Sequence, residues 1–433
     1  MDRPLNLGLA GIGTVGASVA RILTEKQEHF SKMTGRPIEI KAVSARDRNR
    51  DRGVDLSGVD WFDDPVRLAQ EADIDLFVEL IGGADGPALE SVKAALGRGI
   101  PVVTANKALL AHHGVSLARL AQRKNVTILF EAAVAGGIPI IKTMREALRG
   151  NTVSRVYGIL NGTCNYMLTR MEREGVAFED VLREAQALGY AEADPTFDIG
   201  GFDAAHKLAI LTSLAFGTEI DLASIFIEGI SEISLDDIKA AAELGYRIKL
   251  LAVAQRTDSG IEQRVHPTMI PAGSALAQVD GVTNAVAVDT DLLGSILIAG
   301  PGAGGNATAS AVLSDIIDAA NGVYVSTFTV VPQSLTAYKR ARMRAHEGGY
   351  YIRLRVADEV GAFASIARRM AENQISLESI VQRKASDDDG SVAPIILITH
   401  ETTEAAVRKA LEAVSRDGHL RGEPQTIRIE TLA

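Results

Sequence analysis

The chain opens with a glycine-rich turn between an apolar strand and a helix, and this feature restricts the possible folds most strongly. The apolar run Leu5–Ala10 leads into a Gly-x-Gly-x-x-Gly turn, and helix-forming residues follow at once. Gly11 permits the tight turn, Gly13 lets a pyrophosphate approach the backbone, and Gly16 allows the helix to pack closely on the strand. The alternative to a dinucleotide site is an ordinary glycine-rich turn of an α/β protein. The predicted dinucleotide contacts are Gly11, Gly13, Thr14, Val15 and Gly16.

The second predicted strand, Ile38–Val43, bears on which dinucleotide binds. A site specific for NAD places an acidic side chain near the end of this strand, where it binds the ribose 2′-hydroxyl. Here Arg46 and Arg48 follow the strand, and their guanidinium groups suit a 2′-phosphate. We therefore predict that Arg46 selects NADP(H), while Asp47 leaves NAD(H) open. For Arg48, a solvated charged loop is the alternative.

Strands and helices alternate through the first third of the chain. The predicted strands are continuous and apolar, which favours an α/β fold with a Rossmann-like, doubly wound parallel sheet. They are Leu5–Ala10, Ile38–Val43, Ile74–Leu80, Pro101–Thr104 and Val126–Glu131. The helices between them include Gly86–Leu96 and Val115–Arg123. Residues 1–150 therefore form the predicted dinucleotide-binding domain, which is completed by about 301–345.

The pattern changes after residue 150. Residues 151–300 mix strand-like runs with longer helices, which predicts an inserted α+β domain. Its predicted strands are Ser154–Leu160, Ile261–Ile270, Asn284–Val288 and Ser295–Ala299. A second glycine-rich loop, with Gly302, leads into a predicted helix, Ala307–Ala320, and suits an anion or a cofactor. A plain turn is the alternative for this loop. We predict a linker helix over the basic run 339–344.

From Tyr350 onward the chain has a self-contained pattern. Strand, helix, strand, strand, helix and strand follow one another, which is the order of a ferredoxin-like module. The predicted elements are Tyr350–Ala357, Ala362–Asn373, Ser376–Arg383, Val392–His400, Thr403–Ser415 and Thr426–Glu430. Residues 349–433 therefore form a third predicted domain, with the loop 386–391 between its middle strands.

Composition and charge narrow the class of partner. The chain has 433 residues and a net charge of −10, without the basic footprint of a nucleic-acid-binding protein. No apolar run is long enough to cross a membrane, and no signal pattern begins the chain. Cys164 is the single cysteine, so an intramolecular disulfide is impossible and a reducing compartment is expected. We therefore predict a cytoplasmic protein that acts on a small molecule.

The most specific segment of the sequence lies between residues 187 and 208. Four carboxylates and one lysine occur within sixteen positions, and Gly200 and Gly201 precede a predicted helix that runs to about Phe216. Asp203 and Lys207 are four residues apart and share one face of that helix. A lysine near a buried surface beside a carboxylate suits proton donation or polarisation of a carbonyl. A weak surface salt bridge is the alternative.

The stretch Gly189–Lys207 resembles the sequence signature of the homoserine dehydrogenase family. Three further blocks agree with that family, and the resemblance covers essentially residues 5–325. These blocks are Gly11–Gly16, Thr104–Lys107 and Gly158–Thr163. Cys164 departs from the family pattern, in which a second threonine is usual, and we expect only a local packing change there. The resemblance implies reversible, NAD(P)-dependent interconversion of L-aspartate 4-semialdehyde and L-homoserine in threonine and methionine biosynthesis.

The same resemblance implies that residues 151–300 form the substrate-binding, catalytic and dimerisation domain, and it implies roles for single residues. Lys207 matches the proton donor to the developing alkoxide, and Lys107 matches a lysine at the junction of cofactor and substrate that could share in the proton step. Asp203 and Glu192 match acidic positions that bind substrate, and Asp198 matches a supporting one. The further cofactor contacts that the resemblance implies are Thr104, Lys107, Gly189 and Gly302.

The resemblance also implies a monovalent cation site. In the family a carboxylate and backbone carbonyl groups bind sodium, and hard oxygen ligands suit such an ion. The matching residues here are Glu131, Val134, Gly136 and Ile138.

The C-terminal module resembles an ACT domain, the amino-acid-sensing fold appended to many biosynthetic enzymes. Asp358–Phe363 matches its first loop and Asn373–Ser376 its second. The resemblance implies an amino-acid effector, with threonine as the first candidate, and assembly into a homodimer or homotetramer. A chain that ends near Arg344 is expected to remain active and insensitive to the effector. An interaction domain without a ligand is the alternative.

Two other functions stay open at the level of sequence. An aspartate-semialdehyde dehydrogenase needs an acylating cysteine, and the sequence places no evident base beside Cys164. A catalytically inactive, cofactor-binding amino-acid sensor has no need of Lys207 and Asp203. Loss of NADPH absorbance with aspartate semialdehyde in the absence of phosphate separates these possibilities.

Overall fold

The computed structural model describes residues 3–341, 347–357, 359–382 and 392–431. The first unit of the fold is a parallel sheet with helices on both faces. Its elements are β1 (Leu5–Ala10), α1 (Thr14–Glu25), α2 (Gln27–Thr34), β2 (Ile38–Ser44), β3 (Asp60–Phe62), α3 (Pro65–Glu71), β4 (Leu76–Glu79), α4 (Pro87–Gly97), β5 (Val102–Thr104), α5 (Lys107–Arg123), β6 (Ile128–Leu129) and α6 (Ile140–Lys142). The strand order is β3-β2-β1-β4-β5-β6 and neighbouring strands are parallel, which confirms the predicted doubly wound sheet.

Two features of this sheet differ from the sequence prediction. The edge strand β3 was not predicted because it is three residues long and begins with the exposed Asp60. Helix α5 begins at Lys107 rather than at Val115, since the Asn106 side chain accepts a hydrogen bond from the Leu109 N–H and caps the helix there. The cap places Lys107 in the first turn of α5, at the carboxyl edge of the sheet.

The second unit is an antiparallel sheet covered by helices. Its elements are β7 (Val153–Ile159), α7 (Gly162–Glu174), α8 (Phe178–Ala187), α9 (Thr196–Ile199), α10 (Phe202–Phe216), β8 (Phe226–Ile227), α11 (Leu235–Glu243), β9 (Tyr246–Thr257), β10 (Gly260–Pro271), β11 (Thr283–Thr290) and β12 (Gly294–Pro301). Its main path runs β12-β11-β7-β9-β10, so the predicted α+β character is confirmed. The long strand β9 was not predicted, because Arg247 and Lys249 interrupt its apolar run. Both side chains are buried and pair with Asp280.

The chain then returns to the first unit. Helix α12 (Gly305–Ala320) packs against α1 and α2 and begins two residues before its predicted start. The predicted linker helix over 339–344 is wrong where it is described. Arg340 forms an isolated β-bridge with Ile261, and Ala341 donates to the Ile261 carbonyl group, so this part is extended. Residues 342–344 lie outside the described residues.

The C-terminal unit has the predicted βαββαβ order. Its elements are β13 (Glu347–Ala357), α13 (Ala362–Glu372), β14 (Leu377–Gln382), β15 (Val392–Thr399), β16 (Thr402–Thr403), α14 (Glu404–Arg416) and β17 (Gln425–Ile429). The antiparallel strand order is β17-β13-β15-β14, and the short β16 is an addition that pairs with β13. The loop 386–391 and Asp358 lie outside the described residues.

The C-terminal unit continues the sheet of the second unit, which the sequence did not indicate. Strand β17 pairs in parallel with β10 at two positions, and the joined sheet has 11 strands. Arg353 crosses this boundary and donates twice to the fully buried carboxylate of Asp237, at 2.7 and 3.0 Å. Within the described part of the chain, we find no helix that could cross a bilayer.

Candidate active site

A cavity of about 610 Å³ lies where the first two units meet. It reaches from the first turn of α1 to the first two turns of α10. Eight of the predicted site residues line it: Val15, Lys107, Gly136, Gly189, Asp198, Asp203, Lys207 and Gly302. Residues from the two units therefore surround one partly open cavity that is large enough for a cofactor end and a small substrate.

The glycines of the first loop have the geometry that the motif requires. Gly11 has a φ of +97°, and a Cβ there would lie 2.4 Å from the Leu80 carbonyl oxygen. A Cβ at Gly16 would lie 2.1 Å from the Gly11 carbonyl oxygen, whereas a Cβ at Gly13 would meet nothing within 4 Å. Gly13 also precedes α1 without a side-chain cap. Its open surface and the uncapped helix therefore suit a phosphate group.

The second glycine-rich loop packs against the first. Gly304 precedes α12 and gives it no side-chain cap, and a Cβ at Gly305 would lie 2.7 Å from Ser18 Oγ of α1. On its other side, the loop contacts the segment that follows β6, where a Cβ at Gly136 would lie 2.5 Å from the Gly302 carbonyl oxygen. Two uncapped helix N-termini therefore lie side by side, as an anionic cofactor requires.

Lys207 and Asp203 form a buried ion pair on α10. Lys207 Nζ donates to Asp203 Oδ2 at 2.7 Å and to the Leu160 carbonyl oxygen at 2.7 Å. Lys107 Nζ lies 3.1 Å from the other carboxylate oxygen, Asp203 Oδ1. The Lys207 side chain is only 11% exposed, so the alternative of a surface salt bridge is wrong. One carboxylate thus holds two lysines at the cavity.

Asn161 organises the carboxylates, and sequence reasoning gave it no role. Its Nδ2 atom donates to Asp198 Oδ1 at 2.8 Å and to Asp203 Oδ2 at 2.9 Å. Its Oδ1 atom accepts from the Cys164 N–H and caps α7. Asn161 belongs to the block Gly158–Thr163 that resembles the family, so the sequence did point to this position. The resemblance implied no role for its side-chain amide.

Asn284 is a second unpredicted residue at the cavity. Its Nδ2 atom donates at 2.9 Å to the Leu160 carbonyl oxygen, the same oxygen that accepts from Lys207. Its side chain packs against Gly302, where a Cβ would lie 2.1 Å from Asn284 Cγ. Asn284 therefore fixes the carbonyl group that orients Lys207.

The pKa values of the two aspartates at the cavity, Asp198 and Asp203, shift in opposite directions. Burial would raise the pKa of Asp203, but attraction to Lys207 and Lys107 outweighs burial and lowers the pKa below its usual range. Burial raises the pKa of Asp198, and the charge of Asp203 adds to the rise, which the Asn161 amide and the two lysines only partly offset. Asp203 is therefore the permanent anion of the site.

The Cys164 thiol is buried beneath this cluster. Its Sγ atom donates to the Asp198 carbonyl oxygen at 3.2 Å. Burial, together with the charges of Asp198 and Asp203, raises the pKa of the thiol well above its ordinary value. A protonated, buried thiol is a poor nucleophile, which argues against an acylating role.

Glu192, Arg46 and Thr104 are among the predicted site residues that lie away from the cavity lining. Glu192 is exposed, and it follows Gly189 and Tyr190, which line the cavity. Arg46 is exposed after β2, whose Ser44 carbonyl oxygen accepts from the Gly11 N–H. Thr104 is buried, and its hydroxyl group donates to Glu79 at 2.6 Å. The Thr104 hydroxyl is therefore engaged inside the protein rather than directed at a ligand.

Glu131 lies behind the cavity and is 2% exposed. Its carboxylate accepts from the N–H groups of Ile141 and Lys142 at 2.9 and 2.8 Å. Burial and the neighbouring Asp315 raise the pKa of Glu131 to about 7. Ala135, between the predicted carbonyl ligands, has a φ of +55°, a backbone conformation that costs a residue other than glycine energy and often marks a functional site.

Together these features define the class of protein. A doubly wound sheet with two uncapped helix starts adjoins a buried lysine–carboxylate cluster, and a ferredoxin-like unit continues the second sheet. This is the organisation of an NAD(P)-dependent oxidoreductase with an appended ACT domain.

Comparison with known proteins gives the particular family. The family model for homoserine dehydrogenase matches residues 139–317, its NAD-binding domain matches 11–131, and the ACT domain matches 350–416. A homoserine dehydrogenase of Neisseria gonorrhoeae is 44% identical over 99% of both chains, and one of Pseudomonas aeruginosa is 43% identical over 99% of this chain and 100% of its own. The chain belongs to the homoserine dehydrogenase family.

Solved structures agree with this assignment. The crystal structure of a homoserine dehydrogenase from Thiobacillus denitrificans has a TM-score of 0.92 and 42% identity, covering 100% of this chain and 99% of that one. A hyperthermophilic archaeal homoserine dehydrogenase in complex with NADPH has a TM-score of 0.64 and 31% identity, covering 75% of this chain and 100% of that one. The enzyme assignment thus rests on the full length of the chain.

Proposed function

We propose that this cavity reduces L-aspartate 4-semialdehyde to L-homoserine with Lys207 as the proton donor. The observation that carries the proposal is the buried ammonium of Lys207, fixed by Asp203 and the Leu160 carbonyl group. An ammonium group has three N–H donors, and these two contacts use two of them. The third is available to the carbonyl oxygen of a substrate, where it stabilises the developing alkoxide and transfers a proton.

The other charged residues orient the substrate in this proposal. Lys107 lies across Asp203 from Lys207, so the Asp203 carboxylate holds two cations at the cavity, where they favour the developing negative charge of the substrate. Asp198 lies on the cavity wall, and the exposed Glu192 follows Gly189 and Tyr190 of the lining, so both carboxylates suit the substrate ammonium group. A bound nicotinamide cofactor supplies the hydride, while the protein positions the substrate and delivers the proton.

The intact cluster favours catalysis over the alternative of an inactive sensor. A binding protein has no need to bury a lysine against a carboxylate, because the desolvation of two charges is costly. Here Lys207 and Asp203 are 9% and 5% exposed and face the cavity.

We infer that the preferred cofactor is NADP(H). The supporting observation is the position of Arg46, which is exposed two residues after the strand end that contacts Gly11. No side chain in the described part of the chain pairs with its guanidinium group, which suits a bidentate contact with a 2′-phosphate. The archaeal relative is described in complex with NADPH.

Replacing Arg46 by alanine is expected to weaken NADPH binding by roughly tenfold to a hundredfold, since charge-assisted contacts contribute about 1.5–3 kcal/mol. NADH binding should change little, because NADH has no 2′-phosphate. Dissociation constants for both cofactors, measured by fluorescence titration, check this expectation. Arg36→Ala is the matched control, since Arg36 binds the Ala320 carbonyl oxygen away from the cavity. Equal losses for NADPH and NADH in the Arg46 variant would show that Arg46 does not bind the 2′-phosphate.

A sodium ion is proposed beside Glu131. Support comes from the buried carboxylate and from the left-handed backbone at Ala135 and Gly136, which turns successive carbonyl groups. The ligands would be Glu131 and the carbonyl groups of Val134, Gly136 and Ile138. Such an ion would stiffen the segment that contacts Gly302 and so stabilise the second glycine-rich loop.

We propose threonine as the effector of the ACT domain, in a homodimer or homotetramer of a cytoplasmic enzyme. The contacts of Arg428 support a direct route to the active site. Arg428 on β17 pairs with Glu228 at 3.3 Å. The next residue, Gly229, packs so closely that a Cβ would lie 2.2 Å from the Ile199 carbonyl oxygen, and Ile230 donates to that oxygen. Ile199 follows Asp198, which lines the cavity. A shift of β17 can therefore reach Asp198 through Glu228 and the residues that follow it.

Glu228→Gln is expected to raise the threonine concentration for half-inhibition at least about fivefold, because allosteric couplings of about 1–3 kcal/mol are typical. Basal turnover should remain near that of the original enzyme. Threonine titrations at fixed substrate check this, with Glu404→Gln as the control, since Glu404 pairs with the same Arg428 inside the ACT domain. No response of the original enzyme would exclude threonine, and an unchanged response of Glu228→Gln would exclude this route.

A chain ending near Arg344 is a less suitable test than the sequence suggested. This truncation would remove β17 and leave the main-chain groups of β10 that pair with it without partners. It would also remove Arg353 and leave the buried Asp237 carboxylate unpaired, which is strongly destabilising. Point variants at the boundary avoid both effects.

A further inference from the structure

Glu79, the last residue of β4, has a fully buried carboxylate beside the cofactor loops. Its Oε1 atom accepts from the N–H groups of Ile81 and Gly82 at 2.8 and 3.2 Å. Its Oε2 atom accepts from the Thr104 hydroxyl group at 2.6 Å, and the Asn106 amide lies 3.4 Å from Oε1. One side chain thus joins the loop after β4 to the loop after β5.

All of these partners donate to Glu79. The Thr104 hydroxyl group donates to the Glu79 carboxylate, which can only accept, and its oxygen accepts in turn from the Asn106 N–H at 3.0 Å. Among the described residues, Glu79 forms no ion pair with a basic side chain. A buried charge without a counterion is costly, so this carboxylate must be held by its donors. The Glu79 carboxylate therefore supplies acceptor oxygens to the donors of both loops.

The two loops meet different parts of the active site. The loop after β4 begins at Leu80, whose carbonyl oxygen contacts Gly11 of the dinucleotide turn. In the loop after β5, Asn106 caps α5 through Leu109 and donates to the Gly83 carbonyl oxygen at 2.7 Å. The residue after Asn106 is Lys107, which pairs with Asp203. The position of Lys107 is therefore tied to the position of the dinucleotide turn.

We propose that Glu79 is a positioning residue for the reaction. It aligns the cofactor loop with the helix start that carries Lys107, so that hydride donor and substrate meet at a fixed distance. The proposal rests on the proposed placement of cofactor and substrate in the cavity. The proposal also accounts for the orientation of Thr104. Its hydroxyl group donates to Glu79 and is directed away from the cavity, so Thr104 acts on the site through Glu79.

Glu79→Gln tests the proposal because it keeps the size of the side chain but replaces one acceptor oxygen with a donor. One of the two loops then loses its acceptor. Since small misplacements of reacting groups cost up to about a hundredfold in rate, turnover is expected to fall roughly tenfold to a hundredfold. The affinity for NADPH should fall, and the KM for aspartate semialdehyde should change little. The deuterium isotope effect with NADPH labelled at the transferred hydrogen should rise, since a misaligned hydride makes chemistry rate-limiting.

Asp75→Asn is the matched control. Asp75 lies just before the amino end of the same strand, and its carboxylate also accepts a backbone N–H, from Asn6 at 2.9 Å. This variant should lose stability without a change in the isotope effect or in NADPH affinity. If Glu79→Gln does not fold, Thr104→Val removes one donor and should show a smaller loss of turnover with a raised isotope effect, whereas Thr104→Ser should restore both.

The outcomes separate this proposal from the proposed function. An original enzyme that does not oxidise NADPH with aspartate semialdehyde contradicts the function itself. An active original enzyme, with folded Glu79→Gln and Thr104→Val variants of unchanged turnover and isotope effect, overturns the positioning role alone. Losses in Asp75→Asn equal to those in Glu79→Gln would also overturn it, because they would reflect general destabilisation of the sheet.

Discussion

Lys207→Ala is expected to lower turnover by on the order of a hundredfold or more, because a positioned general acid contributes about 10²–10⁴ in rate. The fold should survive this change, since Asp203 keeps Lys107 at 3.1 Å and the Asn161 amide at 2.9 Å as partners. NADPH affinity should change little. Steady-state turnover with aspartate semialdehyde and an NADPH titration measure both effects.

Lys207→Arg separates proton donation from charge. The guanidinium group keeps the positive charge but does not release a proton near neutral pH. If Lys207 donates the proton, the arginine variant should remain strongly impaired despite its intact charge. Near-normal turnover of Lys207→Ala would contradict the assignment and transfer the role to Lys107.

Asp203→Asn is expected to reduce both stability and turnover. Removing one partner of a buried ion pair typically costs about 3–5 kcal/mol, and here two lysines lose their shared anion. Lys207 and Lys107 then repel each other, so their alignment at the substrate is lost and turnover should fall by roughly a hundredfold. Thermal unfolding and steady-state kinetics measure the two losses.

The pH dependence of stability gives an independent check on Asp203. Its pKa is lowered in the folded chain, so its stabilising contribution is present above the ordinary aspartate pKa of about 4 and is lost as the pH falls through the lowered value. The difference in melting temperature between the original enzyme and Asp203→Asn should therefore shrink on acidification below about pH 4. A difference that does not depend on pH in that range would contradict an ionised Asp203 in the folded state.

The parts of the site that sequence could predict are those with local periodicity. The spacing of Asp203 and Lys207 places both on one helix face, and the Gly11–Gly16 spacing fixes a turn between strand and helix. Both predictions depend on neighbours in the chain. Strand boundaries in the first unit were close for the same reason, since buried parallel strands are continuous apolar runs.

The parts that sequence could not predict depend on contacts between distant segments. Asn161 lies 37 and 42 positions from its two carboxylate partners, and nothing in its own neighbourhood shows that they meet. The pairing of β17 with β10 likewise joins segments that are far apart in the chain. Strand β9 was missed because the charges of its buried basic residues are neutralised by remote partners.

The most direct measurement is NADPH consumption with L-aspartate 4-semialdehyde in buffer without inorganic phosphate, with quantification of L-homoserine. The account predicts that the original enzyme forms one homoserine for each NADPH consumed, and that Lys207→Ala binds NADPH with similar affinity but turns over at least about a hundredfold more slowly. No homoserine from the original enzyme, or comparable rates for the two proteins, would contradict the assignment of this cavity and of Lys207.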